Sequence, residues 1–344
     1  MRQGDETVRG GAVAQQHRRR TYRLSEWTGR AKILAHMTLP PTGHRAKRVI
    51  RAWAAVLGAA CTAAVSAATC PPEGWTRSEL LGLRAQQWTV ADPSRREVLA
   101  DALLDCLRDP DPVLRDEVAF EALQHWMRAP ALKPDAVRAI GERLLAQLEA
   151  PEPLGFGRPF AALVLSEVIR DDRMRGVWSA AQREAALERI GRYMTSITDH
   201  RGFQPGAGWR HGVAHSADAL MQFALNPALD RAALDRILEA VASQVSPPGG
   251  HAYVHGESER LVRPVLFTAR RGLHDAREWS AWLGRLVARD APAKDAPTTL
   301  EALARQHNLR GFVYALYASA QESGDPTIRE RLLPAVRETL RALP

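Results

Sequence analysis

In DHRGFQPGAGWRHGVAHSAD, residues 199–218, two imidazoles stand four residues apart and a carboxylate follows three later. On a helix of about 100° per residue, His211, His215, Asp218 and Gln222 share a stripe roughly 60° wide. Two His at this spacing can bind one divalent metal, zinc or manganese. Asp218 then either ligates as well or orients His215. The helical metalloprotease pattern needs Glu directly after the first His, and here that residue is Gly212. A further ligand would come from Asp199, His200, His251, His255, Glu257 or Glu259. The same residue types serve equally in a metal-free ligand or catalytic site. They also suit a structural network that ties down the Gly-rich turn at 204–208. Ser216 lies about 100° round the helix from His215, so a Ser-His-Asp triad within this helix is not expected.

A second cluster, PPGGHAYVHGESERLVRP at 247–264, again sets a Gly-rich turn before a helix. Glu257 and Glu259 fall near the helix's positive N-terminal end, where capping and a solvated charged face account for them. If this turn lies beside 199–218, ionisable groups converge on one pocket. The candidate ligand-binding residues are then Asp199, Arg201, Trp209, His211, His215, Asp218, Glu257 and Arg260. Neither a phosphate loop, a dinucleotide fingerprint nor a nucleophile elbow occurs.

The elements that must position these groups read as helices. From Pro71 onward Pro, Gly and Asp punctuate amphipathic runs at about 133–149, 158–170, 180–197, 207–225, 228–245, 258–271, 275–288, 298–320 and 326–342. The absence of alternating strands predicts an all-α fold. Short connections favour antiparallel neighbours, as in an irregular HEAT-like α-solenoid or α/α array. In the run 207–225, Trp209 is expected to anchor the start. Val213, Ala217, Leu220, Met221 and Ala224 form the core face, so the His/Asp stripe points to water or into a polar concavity.

The net charge of +8 is not spread over the chain. Residues 1–68 carry 12 Lys or Arg against three acidic residues, and residues 69–344 hold 35 against 36. A nucleic-acid-binding face is therefore not expected. Basic residues 45–51 precede the uncharged run 52–68, which ends Ser66-Ala67-Ala68, so residues 37–68 read as a Sec signal peptide. The 36 residues ahead of Met37 read as a mis-assigned, disordered extension, and 69–344 as one helical domain. A periplasmic or secreted protein with no stable membrane span after cleavage is expected. Of its two cysteines, Cys70 and Cys106, pairing is one outcome and free thiols the other.

Four stretches, LRDEVAFEAL, FGRPFAALVLSEVIRDD, DHRGFQPGAGWRHGVAHSADAL and ESERLVRPVLFTARR, carry a family resemblance. The chain resembles the bacterial domain of unknown function 2785 over roughly residues 110–271. Asp199, Arg201, Gly202, Gly208, Trp209, His211, His215 and Asp218 fill its most distinctive motif. Arg158-Pro159-Phe160 stands where Arg-Ser-Phe is usual and leaves the role of Arg158 open. The resemblance implies an all-helical, HEAT-like fold and no particular activity.

The leading functional expectation is an exported scaffold that presents its polar groove, around 199–218 and 251–263, to an envelope peptide or small molecule. A divalent-metal-dependent hydrolase using His211 and His215 is the enzyme alternative. A purely structural envelope protein is the third.

Overall fold

Helix starts follow local capping chemistry. Thr76 and Glu79 form a capping box at α1 (Arg77–Ala85), and Asp92 caps α2 (Pro93–Cys106), which carries Pro at its start. The computed structural model describes residues 70–290 and 298–343, all within one compact unit. A wide-turn segment, Val113–Phe120, runs directly into α3 (Glu121–Arg128). Next come α4 (Pro134–Glu149), α5 (Gly157–Arg175) and α6 (Ala180–Ser196), the last opened by a Ser179–Gln182 capping box. After α7 (Gly212–Ala224), Asp230 caps α8 (Arg231–Val245). The chain finishes with α9 (Glu257–Arg270), α10 (Ala276–Asp290), α11 (Leu300–Gln321) and α12 (Leu333–Ala342).

The fold is an all-α array in two layers. Helices α3, α5, α7, α9 and α11 pack successively on one another, and α2, α4, α6 and α8 form a second row. Contacts such as those of α4 with α5 and α6 with α7 join the rows. Leu144, Leu165, Leu187, Leu220, Ile237 and Val265 lie buried in one continuous core between them. At about 25 cal/mol per Å² of apolar surface, burial of this core is the main favourable term. No helix among the described residues is long and apolar enough to cross a membrane. The expected extension and signal segment, 1–36 and 37–68, lie outside the described residues.

Two expectations need correction around the site. The helix expected over 207–225 begins only at Gly212, and a two-residue antiparallel pair, β1 (Phe203–Gln204) with β2 (Gly208–Trp209), occupies the preceding stretch. Positive φ at Gly206 and Gly208 turns the chain back on itself, and the resulting hairpin is too short to show alternation in sequence. Trp209 thus sits on a strand, not in a helix. Met221 is not core but half-buried at the edge of a cleft.

Cys70 and Cys106 form a disulfide that ties the start of the described chain to the end of α2, across a separation of 36 residues. Closing a loop of that length should stabilise the fold by about 4 kcal/mol. We therefore expect Cys106→Ser to lower the unfolding free energy in urea by that order. An unchanged denaturation midpoint, with the wild-type disulfide intact, would contradict this.

Candidate functional site

The hairpin is held by buried cations. Arg115, fully buried on the wide-turn segment before α3, donates to the carbonyls of Asp109 (2.9 Å) and Ala207 (2.8 Å) and pairs with Asp116 at 2.7 Å. Its guanidinium lies 4.0 Å from the centre of the Phe156 ring, and Arg210 stacks on that ring at the same distance. Arg210 also donates to the carbonyl of Leu154 at 3.1 Å and to Gln204. A Cβ on Gly208 would come within 2.8 Å of Arg115 Nη2, so the clamp requires glycine there.

With the hairpin fixed, the chain enters α7 through His211 at φ 57° and ψ 37°, a left-handed conformation that a non-glycine residue adopts only under local constraint. His211 N–H donates to the carbonyl of Arg201 at 3.0 Å, and the indole of Trp209 stacks on its ring with centroids 4.8 Å apart. One turn on, His215 Nδ1 lies 3.1 Å from the carbonyl of Pro159 on α5. A carbonyl only accepts, so Nδ1 carries the proton and Nε2 the lone pair. The ring edge packs on Phe160.

The polar stripe faces a concavity. Between α3, α5, α7 and α9 lies a cleft of about 480 Å³ whose lining includes His211, His215, Asp218, Gln222, Trp209 and His255. Asp218 is taken up by α9: Arg260 Nε donates to Oδ1 at 2.8 Å, Arg260 Nη2 holds Oδ2, and Arg263 reaches Oδ1 at 3.4 Å. Across the cleft, Glu167 of α5 accepts from Arg128 Nε at 2.9 Å and from Gln124 at 3.1 Å. The expected convergence of the 251–263 cluster with 199–218 is thus present. Glu257, at the start of α9, accepts from the backbone N–H of His255 through Oε2 at 2.8 Å. Its Oε1 stands 3.6 Å from His211 Nε2 and 3.8 Å from His255 Nδ1. These three atoms are buried without a hydrogen-bond partner among the described residues.

Other sequence candidates lie beside the cleft. Asp199 and Arg201 pair with each other, Arg201 Nε donating to Oδ1 at 2.7 Å, and border a separate recess with His200 and His251. Arg158, whose role the motif left open, donates to the carbonyl of Ala150 at 2.9 Å. Of the expected set His211, His215 and Asp218, the carboxylate of Asp218 is held by Arg260 and Arg263. No group of three or more His, Cys, Asp or Glu side chains among the described residues is already arranged to hold a metal ion. Sequence reasoning missed Gln124, Arg128 and Glu167. The signal for Glu167 was one carboxylate inside the apolar run ALVLSEVI.

Burial sets the protonation of the floor. It drives the His215 imidazole well below the ordinary value of 6.5, with His211 and Arg260 adding to the effect. His211 is pushed down to about 4 by burial, then by Arg260 and His255. Burial likewise lowers Arg260 to about 10, with Arg263 contributing. At neutral pH both imidazoles are therefore uncharged acceptors.

A family model described as "Protein of unknown function (DUF2785)" matches residues 144–318, which include α5 to α9 and the whole stripe. The chain belongs to this family. No curated protein and no solved structure matches the chain.

Two outcomes follow. A folded-state His pKa below the unfolded 6.5 means that the unfolded chain binds more protons in between. The stability contributed by neutral His211 and His215 is present above about pH 6.5 and is lost as pH falls toward 4, at up to about 1.4 kcal/mol per pH unit per group. Urea midpoints measured across that window in EDTA should fall, and His211→Gln should flatten the slope. A pH-independent midpoint would refute the assignment. Secondly, a Cβ on Gly202 would lie 2.3 Å from His255 Nδ1. Gly202→Ala should displace the His255 ring and destabilise the fold by about 1–3 kcal/mol, readable by denaturation and by the shift of the His255 ring resonances.

Proposed function

We propose that this protein is an exported helical scaffold that binds a small polar ligand, or the polar end of an envelope peptide, in the cleft between α3, α5, α7 and α9. The observation that carries the reading is a recess of about 480 Å³ with a polar floor already set by its surroundings. That volume lies in the ordinary range for small-molecule sites. Neutral imidazoles offer lone pairs, and Asp218 and Glu167 are balanced by Arg260 and Arg128. Trp209, 37% exposed, stands at the lining with an aromatic face for an apolar part of the ligand. Side chains so restrained lose little entropy when a ligand arrives.

Export is supported by the charge-free run 52–68 behind basic residues and by the Cys70–Cys106 disulfide, which suits an oxidising compartment. The second reading, a divalent-metal-dependent hydrolase, is favoured by the unpartnered nitrogen of His211 beside Glu257. A purely structural role gives no reason for such unpartnered groups to line a recess.

A thermal-shift panel of amino acids, short peptides and sugars tests the leading reading. We expect at least one compound to raise the wild-type melting temperature by several degrees. Trp209→Ala and Gln124→Ala, both on the lining, should weaken that compound at least tenfold. A panel without a hit, or hits undiminished in both variants, counts against ligand binding in this cleft.

A further inference from the structure

We propose that His211, His255 and Glu257 form a binding site for one divalent cation of the zinc or manganese type. Three unpartnered buried atoms, His211 Nε2, His255 Nδ1 and Glu257 Oε1, carry the inference. Glu257 is 1% exposed and His211 7%, so neither finds its missing partner in bulk water.

The spacing selects among partners. Separations of 3.6 and 3.8 Å from Oε1 are too long for direct N–H···O bonds, which need about 2.7–3.2 Å. They are shorter than the about 4.5 Å between two tetrahedrally placed partners of one bridging water or ammonium group, each at about 2.8 Å. Ligands at about 2.1–2.2 Å from a tetrahedral ion stand about 3.4–3.6 Å apart, which the His211–Glu257 pair matches at 3.6 Å. Two imidazole nitrogens and a carboxylate oxygen are also a donor set that zinc and manganese accept.

Charge points the same way. A buried carboxylate oxygen without a positive partner or hydrogen bond is costly. Arg260, on the same helix as Glu257, is committed to Asp218. His211 Nε2, itself without a partner among the described residues, faces the Glu257 carboxylate at 3.6 Å.

Two of the three ligands are already immobile. His211 is fixed by its left-handed backbone and by Trp209, and Glu257 by the His255 N–H. The set closes through His255, whose side chain is 27% exposed and whose ring centroid lies 6.4 Å from that of His211. A turn of this ring toward Oε1 brings the third ligand in. Gly202 provides the bare surface on which the ring rests. His211 and His255 both line the cleft, so the site lies at its edge.

Metal content decides the matter. Untagged full-length protein is loaded with zinc or manganese chloride, dialysed and analysed by plasma mass spectrometry, with affinities from calorimetry. We expect close to one ion per chain, and a loss of at least 100-fold in affinity for His211→Ala, His255→Gln and Glu257→Gln. Asp218→Asn and His215→Gln should stay within about fivefold of wild type. Because His255 is partly exposed, His255→Gln should keep the wild-type circular dichroism even if the buried variants unfold. Less than a tenth of an ion in folded wild type overturns the proposal. So does loss of binding that follows His215 and Asp218 instead of His255 and Glu257. Metal uptake is measured without any organic ligand, so its failure leaves the cleft's ligand binding standing, and the reverse holds too.

Discussion

The buried guanidinium of Arg115 is the constraint on which the site depends. A cation removed from water must be surrounded by acceptors and π faces, or the fold loses several kcal/mol. Arg115 meets that demand with the carbonyls of Asp109 and Ala207, the carboxylate of Asp116 and the Phe156 ring. Because Ala207 lies in the turn between β1 and β2, satisfying Arg115 also fixes the hairpin. Arg210 repeats the arrangement on the same phenyl ring. The hairpin then delivers Trp209 and His211 in one orientation, including a backbone conformation that His211 would not adopt freely.

Helix α7 shows how polar groups survive in the middle of a helical array. It lies between α5 and α9 in its own row and against α6 in the other, so nearly its whole surface is buried. Each polar member of the stripe meets the desolvation in its own way. His215 donates its Nδ1–H to the carbonyl of Pro159, Asp218 takes two arginines, and Gln222 accepts from Arg173 at 3.3 Å. His211 alone keeps an unpartnered buried nitrogen. The unpaired atoms are thereby concentrated at one end of the stripe, where α7 and α9 both begin.

Much of this was legible from sequence because helices are local. Proline, the small polar caps and the 3.6-residue period marked the helices between residues 133 and 342 to within a few positions for most elements. The larger misses were the end of α5, which runs on to Arg175, the start of α12, which comes only at Leu333, and the start of α7, where a Gly-rich hairpin held by distant arginines replaced an expected first turn. The spacing of His211, His215 and Asp218 placed them on one stripe, and opposite apolar residues turned that stripe away from most of the core. Nothing local could show that Asp218 would be claimed by Arg260, 42 residues further on, or that Arg128 and Glu167 would face it.

The sequence by itself determined the all-helical class, the polar stripe and the family motif, since periodicity and residue type act within a few turns of chain. The tertiary structure alone decided which ionisable groups are paired, which are neutral and which are left unsatisfied. Those properties depend on burial and on charges brought together from α3, α5, α7 and α9. A carboxylate's partner is set by distance in space, and for Glu257 that distance brought His211, 46 positions earlier, to 3.6 Å.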